Sequence, residues 1–231
     1  VSAMLLGWNT ARFRIWDGMR ALDYLQERPE IDKQRLGVMG NSGGGTLSSY
    51  IMALDDRIGA GAPSCYISTL RDVCDRCGPQ DAEQNFFGQL AFGMNHAGYL
   101  LARAPMPVCM NCAHGDFFPF AGSEKSYAVA RAVFERFGWG ERVAMLDVPG
   151  PHGWKEGNRV GSVQWMRRWL RDETAALPLD LPALRASCAS YDAKSADCGL
   201  QEPDAWVTST GQVRDLPGAR SVYDIMRDEL A

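Results

Sequence analysis

Histidine is scarce in this chain: three in 231 residues. A reaction that needs a neutral-pH base therefore has few candidates, which makes any assignment sharp. No run of about eighteen apolar residues appears, so no membrane-spanning helix is expected. Positive charge is not in excess; 24 Lys and Arg stand against 28 Asp and Glu, for a net charge of −4. That removes the basic footprint of a nucleic-acid surface. No internal repeat is evident, and the opening "VSAMLLGWNTARFRIW" lacks both the basic flank and the cleavage site of a signal peptide. The first residue is not methionine, so the start reads as processed or truncated and the compartment stays open. With 46% hydrophobic and 10% aromatic residues the chain can bury a real core.

The pattern alternates helix and strand. Ile15, Met19, Leu22 and Leu25 recur at helical spacing within 9–28, and Pro29 stops that helix. A short apolar strand follows at Leu36–Met39, then a helix from Thr46 to Leu54, then a buried strand over 58–68. Residues 69–104 have mixed charge and many glycines, and read as a partly helical cap or lid. Strand and helix alternate again: "MPVCMNCAHG", a helix over 123–138 with Ser123 as its N-cap, the strand in "ERVAMLDVPGPHG", and a helix over 161–174. Such alternation predicts an α/β fold with a mainly parallel sheet flanked by helices. The texture changes after Leu177. Residues 1–177 read as one domain, and 178–231 as a linker-like extension with a hairpin in 204–216 and a short terminal helix.

The run "RLGVMGNSGGGTLSS" carries G-x-S-x-G at Gly40-Asn41-Ser42-Gly43-Gly44, with a strand before it and a helix after it. That context is what a nucleophile elbow requires. Glycines two residues either side avoid clashes in so tight a turn, and the Gly43 amide points at a developing oxyanion. A phosphate-binding Walker loop would need a lysine after the glycines, and none is there.

A serine nucleophile needs a base and an orienting acid. His152 in "VPGPHG" lies in the loop after the last strand, and Asp116 in "HGDFFPF" follows the preceding one. Phe117, Phe118 and Pro119 would shield that carboxylate. His114 as base would invert the usual order, His96 is expected to be solvated or structural, and Asp147, Glu124 and Glu141 are the rival acids. Glu83 and Gln84 in the cap, with Asn41, Phe117 and Trp154, are candidate substrate contacts.

Seven cysteines include two C-x-x-C pairs, Cys74/Cys77 and Cys109/Cys112. The second pair falls on a strand, where a separation of three puts the thiols on opposite faces. A shared zinc site is therefore not expected, and neither a metal nor an organic cofactor is needed for acyl transfer. Cys188 and Cys198 bracket a polar loop and are placed for a disulfide.

Together, "GNSGGG", "HGDFFP" and "PGPHG" resemble the serine, acid and histidine loops of the α/β-hydrolase superfamily. The passage "WDGMRALDYLQERPEIDKQRLGVMGNSGGG" is similar to its acetylxylan-esterase-like and prolyl-oligopeptidase-like branch, with the likeness covering about residues 9–175. The resemblance implies a serine esterase on small acyl esters, such as acetyl groups of a carbohydrate, with Ser42, Asp116 and His152 as triad. A prolyl-oligopeptidase-type peptidase and a non-catalytic hydrolase-like subunit are the alternatives. Members of the family carry several strands before the elbow, one of whose loops gives the second oxyanion donor. Here the elbow comes too early for them, so the sheet is expected to be completed by an upstream segment, a partner chain or a second copy.

Overall fold

A computed structural model of the chain describes Ala3 and residues 6–78, 80–173 and 206–229. The chain divides into two compact units, Asn9–Leu181 and Val1–Trp8 with Pro182–Ala231.

In the larger unit four strands form one sheet in sequence order: β1 (Leu36–Asn41), β2 (Ile58–Ser64), β3 (Val108–Gly115) and β4 (Val143–Pro151). Every neighbouring pair is parallel. The connections are therefore crossovers, made by α2 (Gly43–Leu54), by the cap with α3 (Leu70–Arg76) and α4 (Ala97–Leu101), and by α5 (Phe120–Arg136). Helix α1 (Ala11–Glu27) precedes the sheet and α6 (Glu156–Leu170) follows it.

Two apolar clusters fill the two faces. Leu22 of α1, Tyr50 and Met52 of α2, and Phe134 of α5 share the larger one with Val108, Met110 and Cys112 of β3. Trp165 of α6 shares the smaller with Ala62, Cys109, Leu146 and Val148. Cys109 and Cys112 thus face opposite layers, as their spacing on a strand requires. Burial drives both thiols away from ionising, Cys112 to about 12. Strand β1 is an outer strand, yet it carries the elbow. Ile15, Met19, Leu22 and Leu25 all turn inward or partly inward on α1, in the periodicity read from sequence.

Several boundaries differ from expectation. Strand β2 stops at Ser64 rather than running to 68, because Cys65 takes a left-handed φ of 51° and turns the chain away. Ser123 is not the cap of α5: the helix begins at Phe120, and the Ser123 hydroxyl donates to the Ile67 carbonyl at 2.7 Å, pinning α5 to the loop after β2. Helix α6 begins five residues early, at Glu156, where Asn158 accepts from the Lys155 amide (3.2 Å). Residues 69–104, expected as a cap, hold three short helical pieces, at Leu70–Arg76, Ala82–Gln84 and Ala97–Leu101.

In the smaller unit the expected hairpin is absent among the described residues. Residues 206–221 are turns and a short 3-10 helix at Val213–Asp215. Helix α7 (Val222–Asp228) is present, closed by Ser221 and Asp224 in a reciprocal capping box. Cys188 and Cys198 lie outside the described residues. No helix among those described is long and apolar enough to cross a membrane.

Candidate active site

Ser42 sits between β1 and α2 with φ 59° and ψ −122°, a conformation most side chains avoid. It persists because its surroundings over-determine it. Its amide donates to the Ser64 carbonyl of β2 (3.0 Å), and its carbonyl accepts the first helical bond, from Thr46 (2.8 Å). A Cβ on Gly40 would lie 2.5 Å from the Gly44 carbonyl oxygen, and one on Gly45 would lie 2.2 Å from that of Ser64. A Cβ on Gly44 would meet nothing within 4 Å. The glycines that the turn needs are therefore at −2 and +3, not at +2. Gly43 opens α2, so its N–H is among the helix-terminal donors without an intrahelical acceptor.

Asp116 and His152 come from adjacent parallel strands, whose register sets Gly115 opposite Pro151. Each of the two residues follows the strand position so paired, and the imidazole Nδ1 lies 2.8 and 3.0 Å from the two carboxylate oxygens. The Phe118 amide donates a further bond to Asp116 (3.0 Å). The carboxylate side chain is only 2% exposed, and the imidazole 21%. The Phe117 ring lies 4.3 Å from the imidazole, with Phe118 behind it at 6.0 Å. The pair is thus dry on the acid side and open on the imidazole side, with Nδ1 held by the carboxylate.

A buried polar network joins the elbow to the histidine loop. The Asn41 amide fits with its nitrogen toward Ser64 Oγ (3.1 Å) and the Gly153 carbonyl (3.2 Å), and its oxygen toward the Ser42 amide (3.3 Å). Asn158, fully buried, donates to Ser64 Oγ (3.0 Å). Asn41, a candidate substrate contact by sequence, therefore spends its hydrogen bonds inside the protein.

The other candidates are dispersed. Glu83 is half-buried in the cap; a Cβ on Gly43 would lie 3.8 Å from its carboxylate, so it stands over the elbow. Its carbonyl accepts from the Tyr50 hydroxyl (3.0 Å). Gln84 is buried, with no donor to its side-chain oxygen. Trp154 is half-buried two residues beyond His152. Two of the rival residues pair with one another: His114 bonds Asp147 (3.0 and 3.1 Å) on the exposed surface. Glu141 joins Arg168 (3.1 Å). Of the two readings for His96, solvated or structural, the structural one holds. The ring is buried against Tyr66, accepts from the Ser68 amide (3.1 Å), and burial lowers its pKa to about 4.

One residue beside the pair escaped sequence reasoning. Cys65 lies so close that its Sγ and the ligand atoms of Asp116 and His152 are all within 4.8 Å of one another. A single cysteine in "APSCYIS" carries no spacing signal; only the end of β2 brings it here.

No protein-family model matches the chain. The chain is 46% identical over 44 residues to YtaP of Bacillus subtilis (strain 168), named as an inferred hydrolase; the match covers 19% of this chain and 15% of that one. Among solved structures, a glucuronoyl esterase from Solibacter usitatus superposes with a TM-score of 0.60 at 18% identity, over 69% of this chain and 48% of that one. Methylesterase BT1017 gives 0.59 at 25% identity, over 83% and 41%. The chain spans about half the length or less of these solved structures. They share its parallel sheet with flanking helices, which is the α/β-hydrolase fold.

Proposed function

We propose that this chain, built on the α/β-hydrolase fold, is a serine esterase of carbohydrate esters. The observation that carries the reading is the Asp116–His152 pair, aligned by strand register and tied through Asn41 to a strained Ser42. In the proposed reaction His152 Nε2 takes the Ser42 hydroxyl proton as Oγ attacks the acyl carbonyl. Asp116 holds the imidazole by Nδ1 and balances its charge. The Gly43 amide at the α2 N-terminus receives the developing oxyanion. His152 returns the proton to the leaving alcohol, and water then releases the acyl group by the same route.

The likeness to a glucuronoyl esterase and a methylesterase supports an ester of a sugar as substrate. Acetyl on a carbohydrate and an ester of a uronic acid are its two forms, and they differ in which side of the ester is the sugar. In this reading Glu83 accepts a sugar hydroxyl above the elbow, with Gln84 behind it. Phe117 and Trp154 offer apolar surface on the imidazole side. A strand added to the outer edge of β1, from an upstream segment or another chain, would cover the elbow strand and bring the second oxyanion donor.

The test is hydrolysis of p-nitrophenyl acetate, an acetylated xylan and a methyl glucuronate ester by the chain and by Ser42→Ala. A loss of at least a hundredfold is expected for the variant on whichever ester is cleaved. Equal rates for the two proteins would end the esterase reading.

A further inference from the structure

We propose that Cys65, Asp116 and His152 form a binding site for a thiophilic dication of the zinc class, whose occupancy shuts off the serine site. The geometry is the argument. Thiolate, imidazole and carboxylate are the donor types that zinc takes. With bonds of about 2.0–2.3 Å in a tetrahedron, neighbouring donors sit roughly 3.3–3.6 Å apart. The three donor atoms here already lie within 4.8 Å of one another, so each need move by about an ångström or less. The imidazole and carboxylate are closer than that, at 2.8–3.0 Å, and must part slightly.

Each ligand is held by a separate element. Cys65 is fixed by its left-handed turn and by its amide bond to the Asn111 carbonyl (2.9 Å). Asp116 is held by the Phe118 amide, and His152 stands between Gly150 and Gly153 in the loop after β4. Two of the three outer partners suit a thiolate; the third, the Gly153 carbonyl, accepts from the thiol at 3.8 Å and gives up that bond when the proton leaves. Ser64 Oγ and Asn158 Nδ2 both face Sγ as donors, at 3.6 and 3.9 Å. The imidazole, one-fifth exposed, marks the way in for the ion, and a water would complete the fourth position.

The charges balance. Cys65 gives its thiol proton to solvent and Asp116 is already an anion, so two negative charges meet a dication. His152 stays neutral: its proton leaves Nδ1, which binds the metal, and resides on Nε2. One proton is released per ion. An imidazole protonated on Nε2 cannot accept the Ser42 proton, and its bond to Asp116 is gone. The binding half stands on the three ligands alone; the shut-off rests on the esterase reading above.

Cobalt(II) is the probe, since a thiolate on it gives a near-ultraviolet charge-transfer band. The titration uses the full chain in a Cys74→Ser/Cys77→Ser background, with a non-chelating reductant, which removes the C-x-x-C pair at the end of α3. A band saturating at one equivalent is expected, absent in Cys65→Ser and Cys65→Ala and at least tenfold weaker in affinity in Asp116→Asn. The two Cys65 variants guard against one misfolding, and a thermal melt checks both. A band that survives in either folded Cys65 variant, or no band in the parent, overturns the proposal. Zinc inhibition of ester hydrolysis is then read as the ratio of rates with and without zinc. Half-inhibition should need at least ten times more zinc in Cys65→Ser; an unchanged requirement overturns the shut-off. A chain that binds cobalt as expected but cleaves no ester refutes only the esterase reading.

Discussion

Lowering the pH should remove a defined share of this protein's stability through one residue, His96. Its ring is 2% exposed and packs against Tyr66 with centroids 4.8 Å apart. Nδ1 accepts the Ser68 amide, so the neutral ring carries its proton on Nε2. Protonation would bring a second N–H against that amide in a site with little water, and burial therefore lowers the pKa to about 4. Unfolded, the same ring titrates near 6.5. Between these values the unfolded chain binds a proton that the folded chain refuses. The contribution is fully present above about pH 6.5, falls as pH drops, and levels off below about 4. The gap amounts to about 3 kcal/mol. Urea unfolding of the chain and of His96→Asn, from about pH 7 down to about pH 4.5, isolates it, because other titrating groups are common to both. Asparagine keeps an acceptor for the Ser68 amide but has no proton to gain. The variant should be less stable at neutral pH, and the difference between the two should shrink by about 2–3 kcal/mol across the range. A constant difference would refute the account.

Four further outcomes follow from particular contacts. Gly45→Ala should destabilise the fold by about 1–3 kcal/mol or more, and distort the elbow, because its Cβ would lie 2.2 Å from the Ser64 carbonyl; Gly44→Ala, facing open space, should melt within a degree or two of the parent. Arg57→Ala should cost about 1.5–3 kcal/mol in urea unfolding, since the Asp55 carboxylate, 7% exposed and kept low in pKa by the guanidinium, would keep only the bond from the residue-57 amide (3.1 Å). In native thiol labelling Cys74 should react at once, while Cys109 and Cys112 react only after denaturant is added. Asp116→Asn should lower the proposed esterase's kcat about a thousandfold or more with KM little changed, by losing the tautomer that Nδ1 now holds.

Much of the fold was legible in the chain. Ile15, Met19, Leu22 and Leu25 encode the inner face of α1 because helical periodicity is local. The four apolar segments encode strands, and their alternation with helices encodes a parallel sheet, since parallel neighbours require a crossover. Element ends were less legible. Ser123 has the chemistry of an N-cap, but its hydroxyl is drawn to the Ile67 carbonyl, which only tertiary packing supplies. Residues 206–216 have strand-like composition yet form turns among the described residues, for composition cannot say whether a neighbouring strand exists.

The candidate site divides the same way. Ser42 is marked by a local rule: glycines that a strained turn needs, between strand and helix. Asp116 and His152 are marked by their order along the chain. What no local rule contains is that Gly115 lies opposite Pro151, that Asn41 reaches Gly153, or that Cys65 ends β2 beside both partners. His96 shows the converse, a polar residue in a polar-looking segment that turns out to be buried and uncharged. By itself the sequence determined which residues are chemically able to act and on which elements they stand, because that depends on side-chain type and near-neighbour spacing. Only the tertiary structure decided which of them meet and which are kept dry, because strand register and burial are set by contacts between residues tens of positions apart.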